Sequence, residues 1–131
     1  SKIELKEKKD RIEDAIYATK AALKEGIVPG GGVALLNASQ QIKVKTPGEK
    51  ILMKAITSPF NTVLDNAGIH LMDNTEDHEG YGIDVVTGKR VKMIVAGIMD
   101  PVLVTKSALK NAVSVVLTII SADCVISNMR D

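Results

Sequence analysis

Aromatic side chains are scarce in this chain of 131 residues, which has no tryptophan, two tyrosines and one phenylalanine. Proteins that bind single-stranded nucleic acid stack its bases on several aromatic faces, so this composition argues against that function. The chain also lacks an excess of charge of either sign, because it has 17 Lys and Arg residues and 16 Asp and Glu residues. No net field favours nucleic acid or an anionic membrane. We therefore expect neither partner.

Cysteine and long apolar runs are equally sparse. Cys124 is alone, which excludes an internal disulfide and favours a reducing compartment. Its apolar context predicts burial. The longest apolar stretch, residues 113–120, is too short to cross a bilayer. The chain begins with Ser1 and shows no signal-peptide pattern, so we expect a piece cut from a longer protein.

A charged helix is predicted at the N-terminus. Ser1 and Glu4 have the spacing of a capping box, and Gly26 is a typical helix stop after Glu25. The apolar residues between them fall on one narrow stripe. They are Leu5, Ile12, Ile16, Thr19 and Leu23. Asp14 lies on the opposite face, where an ordinary solvated carboxylate and a functional one are both open interpretations.

The glycine triplet Gly30-Gly31-Gly32 follows this helix. Consecutive glycines permit close backbone approach and positive φ, and a helix starting after them would offer free N–H groups to an anion. An ordinary turn between helices is the competing interpretation. The triplet does not match the dinucleotide pattern G-x-G-x-x-G, and no convincing strand precedes it.

The remainder predicts a mainly α fold with one small β-hairpin. Helices are expected over residues 33–42 and 49–68, with Pro59 kinking or splitting the second. Residues 81–86 and 90–94 flank a glycine turn and predict the hairpin. A last helix is expected from Asp100 as N-cap to about residue 121, as the central core element, followed by a short strand at 124–126.

Other candidate chemistry is weak. Gly88-Lys89 is followed by Arg90, so no phosphate-binding Walker motif is present. Several side chains capable of binding a metal lie within ten residues, but they fit no zinc or calcium spacing, and a solvated loop is the favoured interpretation. They include His70, Asp73, Asp77, His78 and Glu79. For Asp100, a helix cap is the ordinary alternative to a functional role.

Three stretches together closely resemble the group I chaperonin subunit, the GroEL family. They are residues 4–15, with the sequence ELKEKKDRIEDA, residues 25–35, with EGIVPGGGVAL, and residues 97–101, with GIMDP, followed by VTKSAL at 104–109. The resemblance runs from end to end of the chain. It implies that residues 1–25 are the returning helix of the intermediate domain and that residues 26–131 are the C-terminal half of the ATP-binding equatorial domain. The apical domain and the other equatorial half would lie outside this sequence.

The resemblance also implies site residues. Asp14 matches the aspartate that positions the attacking water, and Gly31 the glycine whose backbone lies against the nucleotide. Asp100 matches the residue that hydrogen-bonds the ribose, and Ile98 packs near the adenine. Asp84, Val85 and Val86 align with the base-contacting segment. That segment is usually Asn-Ala-Ala, so the aspartate and the two valines are departures.

The function implied is an ATP-dependent protein-folding chaperone, with ATP and Mg²⁺ as cofactors. The phosphate and metal ligands would lie in the absent half, so the isolated chain is expected to be inactive as an ATPase. The implied partners are copies of the chain in stacked rings, with unfolded proteins and a co-chaperonin bound by the apical domain. The implied location is the bacterial cytoplasm, or else a mitochondrion or chloroplast. A structural helical module and a metal-binding module through His70 and His78 remain the alternatives.

Overall fold

Helices dominate the secondary structure in a computed structural model that describes residues 1–70, 78–124 and 126. In chain order the elements are α1 (Lys2–Glu25), β1 (Ile27–Pro29), α2 (Val33–Gln41), α3 (Pro47–Ala55), α4 (Ser58–Asn66), β2 (Tyr81–Asp84), β3 (Lys89–Lys92), β4 (Met99–Pro101) and α5 (Val102–Ile120). The described residues form two compact units, Ile27–Asp100 and a second made of Ser1–Gly26 with Pro101–Asp131. The prediction of a mainly α fold with a small hairpin is confirmed.

The unit made of Ser1–Gly26 and Pro101–Asp131 contains two helices, α1 and α5. The predicted capping box starts α1, because the Ser1 hydroxyl accepts a hydrogen bond from the Glu4 N–H at 3.3 Å. The helix ends at Gly26, whose φ of 87° breaks the helical geometry. Lys106 donates to the Glu25 carboxylate at 2.7 Å and ties the end of α1 to α5.

The apolar stripe of α1 and the apolar face of α5 are largely exposed. Leu23 is 83% exposed, Ala21 is the buried residue of α1, and α5 has no buried residue. The prediction that α5 forms the central core is therefore wrong for this chain, since the described residues cover it mainly with α1. Cys124 is exposed as well, which corrects the expectation of burial.

Helix α5 has the length and composition of a membrane-crossing segment, with a mean hydropathy of 1.5. It is the one such helix among residues 1–70, 78–124 and 126. The core helices of soluble proteins satisfy the same criteria, so one helix of this kind carries little weight by itself. The absence of a membrane partner stays a prediction.

The unit Ile27–Asp100 holds the hydrophobic core. Its buried cluster joins α2, α4 and the loop after β3, through Val33, Phe60, Leu64 and Met93. Pro59 splits the predicted second helix into α3 and α4, because its ring cannot continue the hydrogen-bond ladder. Strands β2 and β3 pair antiparallel, with Tyr81 opposite Lys92 and Asp84 opposite Lys89, which is the predicted hairpin.

A second two-stranded sheet pairs β1 with β4. The sequence did not reveal β1, because three residues before a glycine run are too few to show a strand period. The predicted domain boundary near residue 26 coincides with the end of α1, but the assignment of residues 1–25 and 26–131 to two chaperonin domains stays a prediction. The predicted strand at 124–126 includes Val125, which lies outside the described residues.

Candidate functional site

The glycine triplet occupies the turn between β1 and α2, where close packing requires it. The Gly30 N–H donates to the Ile98 carbonyl at 3.0 Å, and Gly30 is buried. Gly31 and Gly32 both have positive φ, 64° and 79°. Within the part of the chain that the structure describes, their N–H groups donate to no backbone carbonyl or side chain. The triplet therefore combines an ordinary tight turn with two backbone donors that remain available.

Asp100 lies in β4 and does not cap α5, which corrects the prediction of an N-cap. Strand β4 continues through Pro101, whose extended backbone makes Pro101 the cap residue, with no capping side chain. The Asp100 carboxylate forms no hydrogen bond or ion pair with any other residue in 1–70, 78–124 and 126. Partial burial raises the pKa of this carboxyl above its ordinary value. A carboxylate without a protein partner is free to accept hydrogen bonds from a ligand.

Asp84 ends β2 and organises the hairpin loop that contains Val85 and Val86. Its carboxylate accepts from the Thr87 hydroxyl at 2.8 Å and from the Val86 N–H at 3.0 Å. These two bonds, the first above all, lower the pKa of Asp84. Val86 is 89% exposed at the loop tip. The carboxylate is thus engaged within its own turn, with further lone pairs left on each oxygen.

Lowering the pH is expected to weaken this turn. The folded-state pKa of Asp84 lies below its ordinary value of 3.8, so the stabilisation is fully present above that value and is lost as the pH falls through the folded-state pKa. The amide resonance of Val86 should therefore titrate with a midpoint below 3.8 in an NMR experiment. Asp84→Ala should abolish the titration. A Val86 midpoint at or above the ordinary value would contradict the account.

Ile98 connects the site to the core. Its side chain packs against the buried cluster, and its carbonyl accepts from Gly30. The unit Ile27–Asp100 therefore joins the Gly31 turn and the Ile98–Asp100 segment by the β1–β4 pairing and places the hairpin bearing Asp84 on the same core. Asp14 belongs to the other unit. It is exposed on α1 and, among the described residues, forms no hydrogen bond or ion pair.

Some of the residues predicted as possible metal ligands lie outside the described part of the chain. Asp73 and Asp77 are not among the described residues. Within 1–70, 78–124 and 126, no group of three His, Cys, Asp or Glu side chains is placed to hold a metal ion. His78 instead packs edge to face on Tyr81, with ring centroids 6.0 Å apart.

One residue of this region was missed by the sequence reasoning. Met93 is 2% exposed and lies beneath both Gly31 and Gly82. A methionine among the apolar residues that follow β3 gives no distinctive signal, because its burial depends on two glycines 62 and 11 positions away coming together.

A solved structure identifies the class to which this architecture belongs. The chain is similar to the group III chaperonin solved in the open state, with a TM-score of 0.68 and 26% sequence identity. The match covers 81% of this chain and 25% of that one, so the chain spans about a quarter of the chaperonin's length. The fold is that of a fragment of a chaperonin equatorial domain.

The TCP-1/cpn60 chaperonin family model matches residues 1–130. The chain belongs to the TCP-1/cpn60 chaperonin family.

Proposed function

We propose that this chain is part of an ATP-dependent chaperonin that assists protein folding, and that it is of the group I, GroEL-like type. The family match over residues 1–130 is the observation that carries the proposal. The three stretches quoted above favour group I. The complete protein would be an ATPase that assembles into stacked rings of identical subunits, with unfolded proteins and a co-chaperonin as partners. The location proposed is the bacterial cytoplasm, or else a mitochondrion or chloroplast.

The residues present fit the ribose and base of a nucleotide. The unpartnered Asp100 carboxylate is suited to accept hydrogen bonds from the two ribose hydroxyls, and the free N–H of Gly31 to donate to a nucleotide oxygen. Ile98 offers apolar contact to the adenine. The loop Asp84-Val85-Val86 would contact the base edge, with Asp84 accepting from the adenine amino group through its remaining lone pairs.

Asp14 is proposed as the catalytic residue. An unpaired carboxylate can orient a water molecule or take its proton as the γ-phosphate is attacked. Bound Mg²⁺ would neutralise the phosphate charge. Its ligands and those of the phosphates are proposed to lie elsewhere in the longer protein. For this reason, we expect the chain by itself to bind nucleotide weakly and to hydrolyse ATP at a negligible rate.

Calorimetric titration of the chain with ADP tests the nucleotide role. We expect weak binding that Asp100→Ala weakens by about tenfold, because a charge-assisted bond to ribose is worth roughly 1.5 kcal/mol. Asp14→Ala should leave ADP affinity unchanged, since its proposed partner is the attacking water. Asp10→Ala is the matched control on α1 for the charge of Asp14.

Titration with divalent metal ions separates the alternatives. Heat with Zn²⁺ or Ni²⁺ but none with ADP would support the metal-binding module through His70 and His78. No heat with either would support a structural helical module. Either of these two outcomes would overturn the nucleotide proposal.

A further inference from the structure

One buried residue contacts the glycine turn and the hairpin through its side chain and the Ile98 segment through its backbone. Met93 follows β3, is 2% exposed, and belongs to the core cluster of the unit Ile27–Asp100. Neither the sequence patterns nor the family resemblance marked it. Its contacts reach the glycine turn, the strand that leads to Asp84, and the segment at Ile98.

The side chain of Met93 fills the space that two glycines leave open. A Cβ at position 31 would lie 3.1 Å from the Met93 methyl carbon. A Cβ at position 82 would lie 2.9 Å from its sulfur and 3.2 Å from its Cγ. Gly31 and Gly82 therefore pack their backbones directly on the thioether. Gly82 is two residues before Asp84 in β2, so the same side chain supports both the glycine turn and the hairpin.

The backbone of Met93 makes two further connections. Its N–H donates to the Gly80 carbonyl at 3.0 Å, at the entrance to β2. Its carbonyl accepts from the Ile98 N–H at 2.8 Å, two residues before Asp100. Met93 thus contacts the hairpin through both its side chain and its N–H. Its carbonyl binds the segment that is proposed to contact the ribose and the base.

We propose that Met93 is a positioning residue for the nucleotide, setting the spacing between the Gly31 turn, the Asp84 loop and the Ile98–Asp100 segment. The inference rests on the proposed function. An unbranched thioether suits this role, because it can fill an irregular gap between two bare backbones. Binding groups must hold their geometry closely, and a displacement of about 1 Å can reduce a site's performance by about a hundredfold. A change in the shape of the side chain at position 93 should therefore weaken nucleotide binding, although Met93 does not contact the nucleotide directly.

Methyl NMR tests this on the full 131-residue chain, with its methionine ε-methyl groups labelled with carbon-13. The sequence has five methionines, and Met93→Leu assigns the Met93 signal by its loss. Addition of ADP should shift the Met93 methyl resonance with the same concentration dependence as the amide resonances of Gly31 and Ile98. If Met93 only stabilised the fold, its methyl resonance would have no reason to follow the binding of ADP.

Two substitutions at Met93 and one control give the affinities. Met93→Ala should weaken ADP binding by about tenfold, and the nearly volume-conserving Met93→Leu by about threefold while the fold is kept. Leu64→Ala is the matched control, because Leu64 is buried in the same cluster on α4, which carries none of the proposed site residues. It should leave the affinity within about twofold, at a temperature where circular dichroism shows each variant folded.

The outcomes separate this inference from the proposal beneath it. If ADP shifts no amide resonance of the unsubstituted chain, the proposed function fails. If ADP shifts Gly31 and Ile98, while the Met93 methyl stays in place and Met93→Leu binds normally, the positioning role alone is overturned. If Leu64→Ala weakens binding as much as Met93→Ala, the effect is one of stability and the positioning role is also overturned.

Discussion

Gly32→Ala is expected to lower the free energy of unfolding by about 3 kcal/mol, combining a strained backbone with overpacking. The new Cβ would lie 2.6 Å from the Phe60 nitrogen and 2.8 Å from its Cα. Both are backbone atoms of α4 and cannot rotate away. The φ of Gly32 is 79°, a conformation that alanine adopts at a cost of about 1–2 kcal/mol. The start of α2 and the α4 backbone would have to separate.

Urea unfolding of Gly32→Ala beside Gly48→Ala measures this effect. Gly48 lies within α3, has an ordinary φ, and would place its Cβ in open space. Alanine there should be neutral or stabilising by about 0.5–1 kcal/mol. Equal stabilities for the two variants would show that α2 and α4 do not pack through Gly32.

Gly82→Ala is expected to cost about 2 kcal/mol through overpacking alone. Its Cβ would lie 2.5 Å from the Val33 Cγ2 in a region where Val33 is fully buried. Valine is stiff at χ1, so this methyl cannot move aside without displacing the start of α2. The φ of Gly82 is not in the left-handed region, so no backbone strain contributes.

A double-mutant cycle isolates the contact. Val33→Ala removes the closer of two clashing groups, the other being the Met93 sulfur at 2.9 Å. The double variant should therefore lose about 1–2 kcal/mol less stability than the sum of the two single losses. Gly88→Ala in the same hairpin is the control for strain without contact, since Gly88 has a φ of 67° and no neighbour within 4 Å. Strict additivity between positions 33 and 82 would contradict the predicted packing.

Local signals in the sequence predicted most of the elements. The Ser1 and Glu4 pair, the stop at Gly26 and the break at Pro59 each act through neighbours in sequence, and each is present in the structure. The hairpin around Gly88 is of the same kind, because its turn geometry needs only the adjacent residues.

The errors arose where long-range pairing decided the outcome. Asp100-Pro101 has the pattern of a helix start, but pairing with β1 extends the backbone to Pro101 and shifts the helix by one residue. The apolar composition of α5 predicts burial, but burial needs a covering partner, and the described residues supply mainly α1. An apolar composition shows that burial of a helix face would be favourable, but it does not show which element buries that face.

The proposed site shows the same division. Asp14, Gly31 and Asp100 come from resemblance, and the structure adds why Asp100 is available to a ligand, since its carboxylate is not a helix cap. Met93 could not be predicted from its own surroundings in sequence. Its importance comes from Gly31 and Gly82, which lack the side chains that would otherwise fill its place.

The hydrogen bond from the Val102 N–H to the Gly26 carbonyl, 3.1 Å long, has a consequence for the order of folding. It joins the point where the chain leaves α1 to the point where it returns to α5. The ion pair between Glu25 and Lys106 links residues 81 positions apart. Closing a flexible loop of that length costs about 4 kcal/mol in chain entropy. Once β1 and β4 have paired, the ends of the intervening segment are already held together and most of that entropy has been lost. Pairing of α1 with α5 should therefore follow the folding of residues 27–100 and should be slow in any variant that keeps those residues unfolded.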